Sequence, residues 1–156
     1  FFAVCDRLLM PDGLVAIQVI TIPDQRYEDY RRRPDWIQKH IFPGGHLPSL
    51  RVLSQAIEKH SGLIIEHAEN IGPHYAKTLA LWRERFLANR EAVRGLGFDD
   101  DFIRKWEYYF DYCEAGFATR TLQVLQLVLT RPLNAALIRQ DQKILGRSEP
   151  QKESVS

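Results

Sequence analysis

The chain has 156 residues, 45% of them apolar and 11% aromatic, which is one domain's worth of sequence with enough side chain to build a core. Its 21 basic residues stand against 20 acidic ones, and a net charge of +1 argues against nucleic acid as a partner and makes any attraction to a membrane a local matter. No apolar run reaches the ~18 residues that span a bilayer and no charged-then-apolar signal segment opens the chain, so the expectation is a soluble, cytoplasmic protein.

In chain order, Phe1, Val4, Cys5, Leu8 and Leu9 make a helical stripe that ends at the Pro11-Asp12-Gly13 turn. Because the chain opens on Phe1-Phe2 rather than Met, midway through what reads as a helix feeding a strand, a fragment or a processed piece is expected. Leu14 to Ile22 reads as a strand covered on both faces, almost continuously apolar, with Gln18 as its polar interruption. A structural hydrogen bond at the end of the sheet accounts for that amide without any function. Residues 21–47 are polar, aromatic and broken by Pro23, Pro34, Pro43 and Gly44-Gly45, which reads as an insertion over the strand ends. Within it, Arg31-Arg32-Arg33 is either a solvated face or a phosphate-facing patch. Trp36, Ile37, His40 and Ile41 share one face of a short helix, and the two glycines after it allow close backbone approach. Pro48 suits the first turn of a helix that buries Leu50, Leu53, Ala56 and Ile57 and runs to His60.

The stretch from Leu63 to Tyr75 organises the rest. Leu63, Ile64 and Ile65 read as the buried start of a strand, and Gly72-Pro73 breaks it, so His74 and Tyr75 are delivered at the strand's end. Open α/β sheets bind ligands at such ends. Leu79, Trp82, Phe86, Val93 and Leu96 then mark one side of a long helix closed by Gly95 and Gly97. Asp99, Asp100 and Asp101 cap the next helix, where Phe102, Trp106, Tyr109, Cys113 and Phe117 recur at helical spacing and Tyr108 and Tyr112 lie on a second side. Such a stripe is either plain core or the lining for a greasy substrate. Thr121 to Thr130 is a last, β-prone strand, and residues 140–156 read as a polar, disordered tail. Cys5 and Cys113 fit two reduced, buried thiols rather than a bridge or a metal pair.

Four segments carry a resemblance: Thr21-Ile22-Pro23-Asp24-Gln25-Arg26-Tyr27, residues 36–49 (Trp-Ile-Gln-Lys-His-Ile-Phe-Pro-Gly-Gly-His-Leu-Pro-Ser), Asn70-Ile71-Gly72-Pro73-His74-Tyr75, and residues 106–117 (Trp-Glu-Tyr-Tyr-Phe-Asp-Tyr-Cys-Glu-Ala-Gly-Phe). With them the chain resembles the cyclopropane-fatty-acyl-phospholipid synthase family, which includes the mycolic acid cyclopropane synthases. The resemblance implies an α/β fold, with residues 1–139 forming the C-terminal half of a class I S-adenosylmethionine-dependent methyltransferase: a Rossmann-like sheet with helical insertions, 21–47 lying over the active site. It further implies methyl transfer from S-adenosylmethionine to a cis double bond of a phospholipid acyl chain and loss of a proton to close a three-membered ring. The base implied is a bound bicarbonate. Its tyrosine falls at Tyr75, its strand-end histidine at Gln18, and its backbone donor at Ile20.

Glutamine keeps a donor at that position and removes a titratable ring. Tyr108, Tyr109, Tyr112 and Phe117 are the expected substrate contacts, aromatic faces able to shield a developing cation. Arg31, Arg32 and Arg33 are the expected membrane contacts of a peripherally associated enzyme that is a homodimer when full length. The family's glycine-rich cofactor loop, ribose-binding acid, catalytic cysteine and bicarbonate-binding glutamate match nothing here, so this polypeptide alone is expected neither to hold S-adenosylmethionine tightly nor to turn over. Two other readings stay open: a small-molecule amine N-methyltransferase, whose relatives share a similar Trp-Ile-x-Lys-x-Ile-Phe-x-Gly-Gly stretch, and a non-catalytic lipid-binding module.

Overall fold

In the computed structural model, which describes residues 1–144, eleven elements follow one another. They are α1 (Phe2–Leu8), β1 (Val15–Thr21), α2 (Asp24–Arg32), α3 (Trp36–His40), α4 (Leu50–His60), β2 (Ile64–Asn70), α5 (Gly72–Ala88), α6 (Arg90–Gly95), α7 (Asp100–Ala118), β3 (Gln123–Thr130) and α8 (Ala135–Ile144). The strands make one sheet of order β1-β3-β2, and both outer strands run antiparallel to β3. β1 and β2 are therefore parallel to each other with a reversed strand between them, which gives a partial Rossmann-like α/β sheet.

β3 sits in the middle because its sequence can be buried on both faces. Leu125, Leu127 and Leu129 point into one core with Phe2, Ile57 and Leu63, under α1 and α4. Val124 points the other way, into a second core with Leu79, Phe110, Cys113 and Phe117 from α5 and α7. Each fully buried leucine of β3 contributes about 1.5–3 kcal/mol relative to an exposed one. Arg131 closes the far end of the sheet: it donates to Asp6 and to the carbonyls of Leu9 and Met10, while Asp6 accepts from the Gly62 amide at 2.7 Å. One arginine thus joins α1, the turn before β2 and the end of β3.

Several expectations need correction. β1 is not covered on both faces: Val15, Ile17 and Val19 pack inward, while Ala16, Gln18 and Ile20 alternate outward. β2 is buried only at its approach, where Leu63 meets the first core; Ile64 is exposed and the rest of the strand forms a sheet edge with a bulge between Ile65 and His67. The long helix is two helices, broken at Asn89, whose side chain donates to the Arg85 carbonyl and competes with the helical ladder. Residues 21–47 hold a second helix, α2, ahead of the short helix expected at Trp36. α2 has Asp24 in its first turn and Arg31 and Arg32 in its last, charges that oppose the helix dipole, and it buries only Tyr27. The polar segment from Gln140 is helical through Ile144, because Asn134 caps α8 by accepting from the Ala136 and Leu137 amides; 145–156 lie outside the described residues. Cys113 is buried, but Cys5 is only half-buried.

Candidate active site

Tyr75 lies in the first turn of α5, and the chain around it is tightly fixed. Asn70 Oδ1 accepts from the Gly72 amide at 2.9 Å, the Ile71 amide donates to the Val124 carbonyl at 2.8 Å, and Pro73 occupies a first-turn position where its missing N–H costs nothing. Gly72 presses on β3 so closely that a Cβ there would stand 3.2 Å from the Val124 nitrogen. The Tyr75 ring, half-buried, packs on Phe117 with centroids 5.4 Å apart. Its hydroxyl meets Gln18, whose Nε2 donates to Tyr75 Oη at 2.7 Å; Gln126 Nε2 in turn donates to Gln18 Oε1 at 3.0 Å. Because the phenol oxygen accepts from the amide, its own proton remains to be donated elsewhere.

Beside this hydroxyl is a mainly apolar cavity of about 570 Å³, enclosed by the end of β1, the 22–47 segment, α5 and α7. Ile20, Leu79, Tyr109, Phe117 and Leu122 supply much of its wall, and Arg26, Asp35, Gln38 and His46 its polar positions. Gln38 pins the covering segment: its side chain accepts from the Asp35 amide at 2.8 Å and donates to the Gly45 carbonyl at 2.8 Å. Burial pushes the Tyr109 phenol up to about 12 and the Cys113 thiol up to about 11, so both stay protonated near neutral pH. Tyr30 and Tyr112 are raised for the same first reason. This side of the wall is therefore uncharged, which suits a hydrocarbon chain.

Tyr75, Ile20, Tyr109, Tyr112 and Phe117 all line the cavity, and Gln18 reaches it through Tyr75. Tyr108 does not: its ring packs edge-on against Trp36 at 4.5 Å, is 48% exposed and lies outside the cavity wall. Arg31, Arg32 and Arg33 lie at the exposed end of α2 outside the cavity wall, with Arg31 and Arg32 at 3.1 and 3.8 Å from Glu28. Sequence reasoning passed over Leu79 and Leu122 as wall residues, and Gln126 altogether. The last left a trace, since it interrupts the apolar 121–130 run as Gln18 interrupts 14–22. Among the described residues no group of three His, Cys, Asp or Glu side chains is placed to hold a metal ion, and no helix is long and apolar enough to cross a membrane.

The family model for mycolic acid cyclopropane synthetase matches residues 1–127. The chain belongs to the mycolic acid cyclopropane synthetase family. Tuberculostearic acid methyltransferase UfaA1 of Mycobacterium tuberculosis is 48% identical over 131 residues, 84% of this chain and 31% of that protein. The cyclopropane-fatty-acyl-phospholipid synthase of Escherichia coli K12 is 36% identical over 137 residues, 88% of this chain and 34% of that protein. This family member thus spans about a third of the length of these curated relatives. Among solved structures, the cyclopropane synthase MmaA2 from Mycobacterium tuberculosis superimposes with a TM-score of 0.73 at 25% identity, covering 84% of this chain and 48% of that one. The mycolic acid cyclopropane synthase CmaA1 complexed with SAH and CTAB gives 0.72 at 27% identity with the same coverage. Relatives so named are cyclopropane-forming or methyl-transferring lipid enzymes, and the α/β fold assigned to the chain is theirs.

Proposed function

We propose that this chain forms the acyl-binding, proton-removing half of an enzyme that methylates a cis double bond in a phospholipid acyl chain and yields a cyclopropane or methyl-branched product. The observation that carries the reading is a phenol hydroxyl, Tyr75 Oη, with its lone pair engaged by Gln18 and its proton unspent, beside a cavity of about 570 Å³ with largely apolar walls. In such an enzyme S-adenosylmethionine supplies the methyl group and a bound bicarbonate supplies the base. The described residues fit the second group. Tyr75 offers an O–H donor, and Ile20 lines the same cavity at the end of β1. No residue of this chain is assigned to S-adenosylmethionine.

The protein's own groups then have distinct tasks. Tyr75 orients an anion through its O–H, which is a hydrogen-bond donor once the amide of Gln18 has taken the phenol oxygen as acceptor. Gln18 holds Tyr75 and, unlike a histidine, cannot exchange protons with it. Tyr109, Tyr112 and Phe117 exclude water and offer ring faces to the positive charge that develops on an alkylated olefin. Arg31, Arg32 and Arg33 give the surface a local positive charge for transient contact with anionic lipid, in a cytoplasmic, peripherally bound enzyme.

An amine-methylating reading draws on one feature, the Asp35 carboxylate in the same wall. Product identity separates the two. The full-length protein is given isotopically labelled S-adenosylmethionine with vesicles of cis-unsaturated phospholipid in one arm and small primary and secondary amines in the other. Label in the acyl chains, lost in Tyr75→Phe, is the expected result. Label in amines and none in lipid overturns the proposal, and vesicle binding without consumption of the methyl donor leaves only the lipid-binding module.

A further inference from the structure

Gln126 stands outside the cavity wall, yet the polarity of the site runs through it. In the antiparallel register of β1 and β3 it lies directly opposite Gln18, so both side chains rise from the same face of the sheet. Gln126 Nε2 donates to Gln18 Oε1 at 3.0 Å, and Gln18 Nε2 donates to Tyr75 Oη at 2.7 Å. In this arrangement donation runs from strand β3 outward and ends on the hydroxyl.

A primary amide has nearly the same shape at its two ends and opposite hydrogen-bonding character. Left alone, Gln18 can present either end to Tyr75. With its carbonyl turned there, the phenol donates to Gln18 and its proton is withdrawn from the cavity; with its NH2 group turned there, the phenol accepts and its proton is kept. We infer that Gln126 is a positioning residue that fixes the sense of the Gln18 amide, so that the Tyr75 O–H is reserved for an anion in the cavity. The inference rests on the functional reading above. Turning Gln18 around against Gln126 would set donor against donor and lose the bond between the two amides, although the Tyr75 hydroxyl could still donate to Gln18 Oε1. Only a matched reversal of the two amides keeps both bonds, and that reversal too takes the Tyr75 proton away from the anion.

That reversed state can be imposed by substitution. In Gln126→Glu the new carboxylate only accepts, so Gln18 turns its NH2 group toward residue 126 and its carbonyl toward Tyr75 with almost no change in shape. Gln126→Met keeps the length and removes the polarity, which leaves Gln18 free to take either sense. The experiment follows methyl transfer to unsaturated phospholipid by the full-length protein against bicarbonate concentration, for wild type, both Gln126 variants and Tyr75→Phe, with the melting temperature of each. Gln126→Glu should raise the bicarbonate concentration for half-maximal rate about tenfold or more, the equivalent of ~1.4 kcal/mol. The maximal rate should return at saturating bicarbonate and the melting temperature should not move.

Gln126→Met should show a smaller rise of a few-fold. The Gln126→Glu effect should also persist in about 0.5 M salt, which screens a through-space effect of the new charge. Unchanged bicarbonate dependence in Gln126→Glu, a rise that disappears in salt, or Gln126→Met equalling Gln126→Glu overturns the positioning role. Tyr75→Phe tells the two failures apart. If it abolishes bicarbonate dependence while Gln126→Glu does nothing, only this inference falls; if it too changes nothing, the functional reading falls with it.

Discussion

Replacing Gly72 with alanine tests how closely the start of α5 must sit on β3 to deliver Tyr75. The added Cβ would stand 2.9 Å from Asn70 Oδ1, 3.2 Å from the Val124 nitrogen and 3.3 Å from Gln123 Cα. Two of these neighbours are backbone of the central strand, which is held on both sides and cannot retreat. Relief requires the helix start to move by ~0.2–0.5 Å, which lengthens the 2.7 Å Gln18–Tyr75 bond toward about 3 Å and strains the Gly72–Asn70 and Ile71–Val124 bonds. Overpacking of this kind costs about 1–3 kcal/mol. The opposing gain, a less flexible unfolded chain, is only about 0.4–1 kcal/mol, so strain wins. Gly95, at the end of α6, is the control: nothing lies within 4 Å of its Cβ position and alanine there should be neutral or slightly stabilising. Urea unfolding followed by tryptophan fluorescence should place Gly72→Ala about 1–2 kcal/mol below wild type and Gly95→Ala at or above it. Equal stabilities for the two variants would refute the close approach.

Stability should also fall as pH rises through roughly 9 to 12. The Cys113 thiol is pushed up from 9.0 to about 11 and the Tyr109 phenol from 10.0 to about 12, both chiefly by burial. The unfolded chain releases those protons first, so the folded form binds more of them across that window and alkali favours unfolding, while below pH 9 the contribution is fully present. A urea midpoint that stays flat from pH 8 to 11 contradicts this. Reversing Arg31, Arg32 and Arg33 to glutamate should weaken co-sedimentation with anionic vesicles at least tenfold, since each surface cation contributes on the order of 1 kcal/mol near such a surface. Binding that is unchanged removes the arginines from the membrane contact.

The sequence announced the strands but not how they are covered. In β1 apolar residues occupy both faces, so the alternation that leaves Ala16, Gln18 and Ile20 outward was hidden within an almost unbroken hydrophobic run. α2 escaped because it buries a single tyrosine and has no apolar stripe, even though Asp24 at its start and Arg31 and Arg32 at its end were signals of a helix with complemented ends. α8 escaped because its polar composition outweighed the Asn134 cap. At the site, helical spacing correctly set Tyr108 and Tyr109 on different sides of α7. It did not say which rings reach the cavity: Tyr112, on the same side as Tyr108, lines it together with Tyr109, while Tyr108 packs edge-on against the sequence-distant Trp36 and stays outside the wall. Tyr75 at a strand's end and Gln18 as the polar break in an apolar strand were legible in the residues and the resemblance gave them a shared role, but their contact needed the tertiary packing of α5 on β3. The Gln18–Gln126 pair needed only the strand register, which the sequence does not state.

The measurement that bears most directly on the whole account is where the middle of an acyl chain touches this protein. A phospholipid carrying a diazirine in place of the cis double bond is photolysed with the full-length enzyme, and the adducts are mapped by mass spectrometry. The account predicts adducts on Ile20, Tyr75, Leu79, Tyr109 and Phe117, competed away by unlabelled cis-unsaturated phospholipid. Adducts confined to Tyr108, the α2 arginines and other outer-surface residues, with the cavity wall untouched, would contradict it.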